Sequence, residues 1–137
     1  MSKHKSKYGQ YDKVDKTPIL KAAKEERPSF SHRYICLGQH CIKKCDLKEF
    51  KSLSDKLRML SDLEWKQIES SPFKGNGREI ISRKSLKREI PATVPADAPI
   101  LIFQFGGSKT GRMAGYRDGA VFHILFIETK FDLYDHE

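Results

Sequence analysis

The chain is poor in several things at once. It has three cysteines, six prolines, nine glycines and one tryptophan in 137 residues. An odd set of three thiols does not make the disulfide framework on which small secreted domains depend. Glycine and proline are too scarce for a collagenous or low-complexity chain. The longest apolar runs, residues 100–105 and 120–127, fall well short of the about 20 residues that cross a bilayer. The opening MSKHKSKYGQYDK is positively charged but has no apolar h-region behind it, so it does not read as a secretory signal. Acidic residues are also in deficit, 18 against 26 Lys and Arg, which leaves a net charge of +8 and a pI near 9.4. Together these shortages imply a soluble, cytoplasmic protein without a membrane partner. Its excess charge favours polyanions such as RNA, DNA or an acidic protein.

The charge is unevenly spread. Residues 1–27 hold eight Lys and Arg against four Asp and Glu, half of the whole excess. Apolar side chains are sparse there, so little burial offsets the entropy of ordering, and the segment is expected to be a basic, flexible tail. Residues 28–137 form the expected single domain, a size that supports one core.

Within that domain, residues 30–37 are β-branched and aromatic enough for a strand that ends at Gly38. Asp46 and Glu49 stand at capping-box spacing and open a helix through about Leu60, with Leu47, Phe50, Leu53, Leu57 and Leu60 on one stripe. Ser61 and Glu64 repeat the spacing, and Pro72 stops a second helix near Ser71. Residues 78–82 read as a short strand, 85–89 as a helical turn, and 90–99, with prolines at 91, 95 and 99, as an irregular connector. Three strand segments follow at 100–105, 112–117 and 120–127, then an extended end carrying Phe131, Leu133 and Tyr134. Asp118-Gly119 between the last two strands predicts a type I′ hairpin. The expected fold class is α+β, a mainly antiparallel sheet with two N-terminal helices packed on one face.

Three groups of residues carry possible chemistry. Cys36, Cys41 and Cys45, with His40 and His32 nearby, contain the ligand types zinc uses, but the C-x4-C-x3-C spacing matches no zinc knuckle. No metal ligands and no cofactor are therefore assigned, and a small zinc-stabilised adaptor stays a third alternative. A second group is basic: Lys74, Arg78, Arg83, Lys84, Lys87 and Arg88 face only Glu79 in charge, beside a Gly-Asn-Gly loop. Such a run either neutralises a nucleic-acid backbone or forms a solvated face. The third group follows from the hairpin. A two-residue Asp118-Gly119 turn pairs Arg117 with Ala120, Tyr116 with Val121, Ala114 with His123 and Arg112 with Leu125. Alternation then gathers Met113, Phe122, Ile124 and Phe126 on a core face, and Arg112, Tyr116 and His123 on the other. Tyr134 and His136 from the chain end are placed to join them. A base, an acid and a cation are the parts that phosphodiester cleavage by a ribose 2′-OH requires. The competing reading makes His123 a hydrogen-bonded core histidine.

The order of elements and the stretch GRMAGYRDGAVFHILFI at residues 111–127, with Lys74-Gly-Asn76 upstream and Tyr134-Asp-His136 at the end, resemble the RelE/ParE superfamily of toxins, particularly its HigB-like and YoeB-like branches. The likeness covers the second half of the chain. It implies a metal-independent mRNA endonuclease that acts on RNA or at the ribosome and is held by a protein antitoxin. Carried over by position, Arg112 would bind phosphate, and Tyr134 or His136 would be the terminal acid/base group. His123 is the further candidate for moving protons. Arg78, Lys84 and Arg88 would be the upstream basic residues, with Lys74, Arg83, Lys87, Tyr116 and Arg117 completing the expected RNA-binding set. The connector at 90–99 and the tail depart from the pattern. The alternative is a non-enzymatic basic protein of a mobile element that binds nucleic acid or inhibits a partner.

Overall fold

The computed structural model describes residues 26–106 and 111–134. Nearly all of the expected tail, and His136, lie outside the described residues. Five strands form one mixed sheet: β1 (Ser29–Ser31), β2 (Glu79–Ile81), β3 (Ile100–Gln104), β4 (Arg112–Asp118) and β5 (Val121–Glu128), in the order β1-β5-β4-β3-β2. Two helices, α1 (Leu47–Ser61) and α2 (Trp65–Glu69), lie between β1 and β2 in the chain. The sheet is antiparallel except at one edge, where β1 runs parallel to β5 with Phe30 opposite Phe122.

The start of α1 follows from the capping box, in which Asp46 accepts from the Glu49 amide at 2.7 Å and Glu49 accepts from the Asp46 amide at 2.8 Å. The second helix begins later than the Ser61–Glu64 spacing suggested. Ser61 is the last residue of α1 and donates its hydroxyl to the Leu57 carbonyl, while Glu64 caps α2 reciprocally with Gln67. The strand expected over 30–37 is also shorter. A turn closed by the Ile35 amide on the His32 carbonyl interrupts it, and the chain returns to the edge of β5 through Cys36 to Leu125 and His40 to Ile127. The helical turn expected at 85–89 forms earlier, as a single 3-10 turn at Arg83–Ser85.

The largest difference lies in the β4–β5 hairpin. Its loop is Gly119-Ala120 rather than Asp118-Gly119, so Asp118 faces Val121, Tyr116 faces His123 and Arg112 faces Glu128. Gly119 has φ +61° and Ala120 stays at negative φ, which is the II′ pattern rather than I′. A bulge between Ala114 and Gly115 then places both Leu125 and Phe126 on one side, removing Phe126 from its expected company of Met113, Phe122 and Ile124. Gly115 permits it: a Cβ there would stand 2.1 Å from the His123 carbonyl oxygen.

Two apolar clusters result. One joins Leu53 and Leu60 of α1 and Trp65 and Ile68 of α2 with Leu101, Phe103, Met113, Phe122 and Ile124. Each such fully buried side chain contributes roughly 1.5–3 kcal/mol. Trp65 is additionally fixed by its indole N–H, which donates to the Ala120 carbonyl at 3.0 Å. The other cluster joins Ile100, Ile102, Ala114, Leu125 and Phe126 with Val94, Leu133 and Tyr134, and contains no helix residue. Its cover is irregular chain, pinned where the Lys87 amide meets the Leu133 carbonyl at 2.8 Å and Leu86 bridges Tyr134. No helix among the described residues is long and apolar enough to cross a membrane.

Candidate active site

The second cluster ends in a group of polar side chains. Arg112 opens β4 opposite Glu128, the last residue of β5. In the neighbouring row, Glu79 of β2 lies opposite Ile102, which lies opposite Ala114. Tyr134 arrives from the returning chain end and donates its phenol O–H to Glu79 Oε1 at 2.8 Å. The Arg112 guanidinium hydrogen-bonds the same phenol. Glu128 accepts the Leu133 amide and so fixes the approach of Tyr134. A carboxylate, a phenol and a guanidinium thus meet on three different elements. Glu79, half-buried and read from sequence only as the one acid opposing the basic run, is the member that sequence reasoning did not assign to a site. Its only sequence signal was being the lone acid in the basic run.

Burial and the Glu79 hydrogen bond and charge push the Tyr134 phenol above its ordinary range, with Arg112 acting in the opposite direction. Tyr134 therefore keeps its proton at neutral pH. Two rings flank Arg112: Phe73 and Phe131 lie 5.3 and 5.2 Å from its guanidinium carbon. Arg112 is 7 % exposed and Tyr134 3 %, whereas Phe131 is 40 % exposed and sits at φ +62°, a costly conformation for a bulky residue. Among the described residues Arg112 Nε has no acceptor, and Nη1 donates to the Gly111 carbonyl at 3.2 Å.

The other expected site residues go elsewhere. His123 is held between two tyrosine rings, Tyr116 at 4.9 Å and Tyr34 at 5.1 Å. Tyr116 is buried, and desolvation, with the nearby Tyr34 and Asp118, raises its phenol while Arg33 opposes. Arg117 lies over the Trp65 ring at 4.4 Å and pairs with Glu26 at 2.5 Å and Glu69 at 3.1 Å. The basic run does not converge. Arg78 donates to the Glu69 carbonyl, Arg83 to the Pro95 carbonyl, and Lys84 is exposed. Lys87 contributes its backbone to the chain end, as described above. Lys74 borders a groove of about 360 Å³ with Lys56, Asn76 and Gln104, Gln104 being the cross-strand partner of Arg112. Lys56 donates to the Gly75 carbonyl at 2.7 Å, and burial lowers its ammonium pKa.

Arg88 takes part in a constellation that the sequence did not reveal. His40 Nε2 lies 2.8 Å from Asp132 Oδ1, and Arg88 Nη1 lies 3.1 Å from His40 Nδ1. A guanidinium only donates, so the geometry fits a ring that accepts at Nδ1 and donates at Nε2. Arg88 also donates to the Leu37 carbonyl and covers the Phe126 ring. Cys36, Cys41 and Cys45 are all free thiols. Burial raises the thiol pKa of Cys36 and takes that of Cys45 to about 11, with Glu49 and Asp46 adding to the latter. Among the described residues no group of three or more His, Cys, Asp or Glu is arranged to hold a metal ion.

No family model, curated protein or solved structure matches this chain.

Proposed function

We propose that the protein is a metal-independent endoribonuclease of RelE-like type. The observation that carries this reading is the meeting of Glu79, Tyr134 and Arg112 through the Tyr134 phenol. In the reaction, Glu79 takes the proton of a ribose 2′-OH as its oxygen attacks the adjacent phosphorus. Arg112 holds the charge that builds on the non-bridging oxygens, and Tyr134 gives its proton to the departing O5′. The P–O5′ bond breaks, leaving a 2′,3′-cyclic phosphate and a 5′-hydroxyl. The Glu79–Tyr134 hydrogen bond then provides a direct route for the proton to return from carboxyl to phenolate. Entry of RNA requires the Phe131 ring to move off Arg112, and its exposure and backbone conformation favour that movement. In this reading RNA, free or on the ribosome, is the substrate, and a protein antitoxin restrains the enzyme.

The burial of Arg112 and Tyr134 favours a second reading, a basic RNA-binding protein in which the same three residues only tie the chain end to the sheet. Incubation of purified protein with a mixed-sequence single-stranded RNA, with and without EDTA, separates the two. Cyclic-phosphate ends that persist in EDTA and disappear with Glu79→Gln and Arg112→Ala support the nuclease. Salt-dependent binding with intact RNA supports the second reading.

A further inference from the structure

Lys56 stands where α1 should carry an apolar residue. It shares one helical face with Leu53 and Leu60, and all three are buried. A lysine is seldom buried without a partner of opposite charge, because an unpaired ammonium is costly to desolvate. Its Nζ donates to the Gly75 carbonyl at 2.7 Å and to Asn76 Oδ1 at 3.4 Å, both neutral acceptors. An ammonium has three N–H donors, so one remains. Among the described residues no carboxylate is near enough to offset burial: desolvation alone acts on the ammonium and lowers its pKa.

Lys56 borders the groove of about 360 Å³ between α1 and the loop before β2, with Ser52 of α1 and Lys74 and Asn76 of the loop along it. Pockets for small ligands begin at roughly 300 Å³, so a phosphate group with its attached sugar fits this space. The Asn76 side chain turns its oxygen to Lys56 and keeps two N–H donors, Ser52 offers a hydroxyl, and Lys74 is a second ammonium. Asp55, exposed at the rim, is the one carboxylate among the described residues that line the groove. Such a lining calls for an anion with several acceptor oxygens, and a phosphate group supplies the counter-charge that Lys56 lacks. The groove also reaches Gln104, the cross-strand partner of Arg112. Opposed Cα atoms of an antiparallel pair are about 4.5–5.5 Å apart, so the groove adjoins the strand position of Arg112. We infer that this groove is a phosphate site with Lys56 as its buried cation, and that it takes the RNA backbone phosphate next to the one held by Arg112. The placement beside Arg112 rests on the nuclease reading above; the phosphate site does not.

The test has two arms. In the first, inorganic phosphate is titrated into the wild-type chain at constant ionic strength, with chloride as the control anion, while the Lys56 side-chain resonances are followed by NMR through a pH series. Phosphate should shift those resonances and raise the Lys56 pKa toward its ordinary value, and Lys74→Ala should weaken the response. No response, or an equal one to chloride, overturns the phosphate site. This arm uses the wild-type chain, so it decides the matter even where Lys56→Met fails to fold. In the second arm, binding and cleavage of mixed-sequence single-stranded RNA are measured for the wild type and Lys56→Met, which keeps the length of the side chain and removes its charge. Affinity should fall about ten-fold, and the salt dependence should become shallower by one phosphate contact. Unchanged RNA affinity beside an intact phosphate response overturns the placement on RNA and leaves a site for a free phosphate compound. Weakened affinity in Lys56→Met, with no cleavage of any RNA by the wild type, supports the RNA phosphate site and removes the nuclease. Cleavage by a wild type that gives no phosphate response overturns the inference and leaves the nuclease standing.

Discussion

Replacement of Gly115 by alanine isolates the contact on which the whole hairpin register depends. The new Cβ would stand 2.1 Å from the His123 carbonyl oxygen, 2.8 Å from Phe122 Cζ and 3.0 Å from the His123 carbonyl carbon. The obstruction is partner-strand backbone, which cannot rotate away as a flexible side-chain end can. To reach ordinary contact the two strands must separate by about 1 Å at the bulge, in the most extensive strand pair of the sheet. Overpacking of a filled core costs about 1–3 kcal/mol, and the rigid neighbour places this change at the upper end. For a domain of this size that is a loss of about 10 °C in Tm. Gly119→Ala provides the internal comparison, since Gly119 has φ +61° and no atom near its missing Cβ. Its cost is only that of left-handed backbone, about 1–2 kcal/mol, and asparagine there recovers most of it. Asparagine at Gly115 recovers nothing. Thermal unfolding followed by far-UV circular dichroism measures all four variants. Gly115→Ala within 2 °C of wild type, or rescued by asparagine, would refute the close approach and the register drawn from it.

Other outcomes follow from the same geometry. Trp65→Ala should cost about 3–5 kcal/mol in urea denaturation, because a fully buried indole, its hydrogen bond to Ala120 and its contact with Arg117 go together. Asp46→Ala should cost about 1 kcal/mol through the lost capping box, and Asp46→Asn markedly less. Tyr134→Phe should lower RNA cleavage by about 10²- to 10⁴-fold while leaving RNA affinity near wild type, as measured by single-turnover kinetics and filter binding. The Tyr134 pKa is raised on folding, so the stability tied to its proton is complete below the ordinary phenol value near 10 and declines as pH rises above it. The margin of wild type over Tyr134→Phe should therefore shrink in urea melts from about pH 10 upward. Asp132 has the opposite sign: its pKa is lowered, so the advantage of wild type over Asp132→Asn should be full above about pH 4 and vanish as acid titrates the carboxyl.

Local rules were legible where one segment decides its own conformation. Asp46 and Glu49 determine the start of α1, and the nearly all-apolar run at 100–105 reads as a buried strand, which forms over Ile100–Gln104. The errors arose where two segments decide together. The Asp118-Gly119 dipeptide favours an I′ turn in isolation, but the β4–β5 register answers to the bulge at Gly115, a cross-strand contact that no local pattern encodes. The same holds for the site. Arg112 and Tyr134 were candidates by type and position, whereas the meeting of Glu79 with Tyr134, from a strand two away from β4, and of His40 with Asp132 across 92 residues of chain, had no local signal. Side-chain chemistry can be read from a sequence; the neighbour that completes it depends on strand order.

The parallel edge formed by β1 has a consequence for assembly. Ser29–Ser31 pairs with Val121–His123, so the first strand of the sheet waits for the last one. Contacts so distant in sequence close a large loop and slow folding. On a translating ribosome, α1, α2, β2 and β3 can all emerge before β5, the strand that bridges β4 and β1, has been made. Completion of the sheet thus waits for β5: a product truncated before residue 121 lacks the partner of Phe30 and the segment that carries Asp132 and Tyr134. Such a truncated product cannot bring Tyr134 to Glu79, so it has no assembled polar cluster.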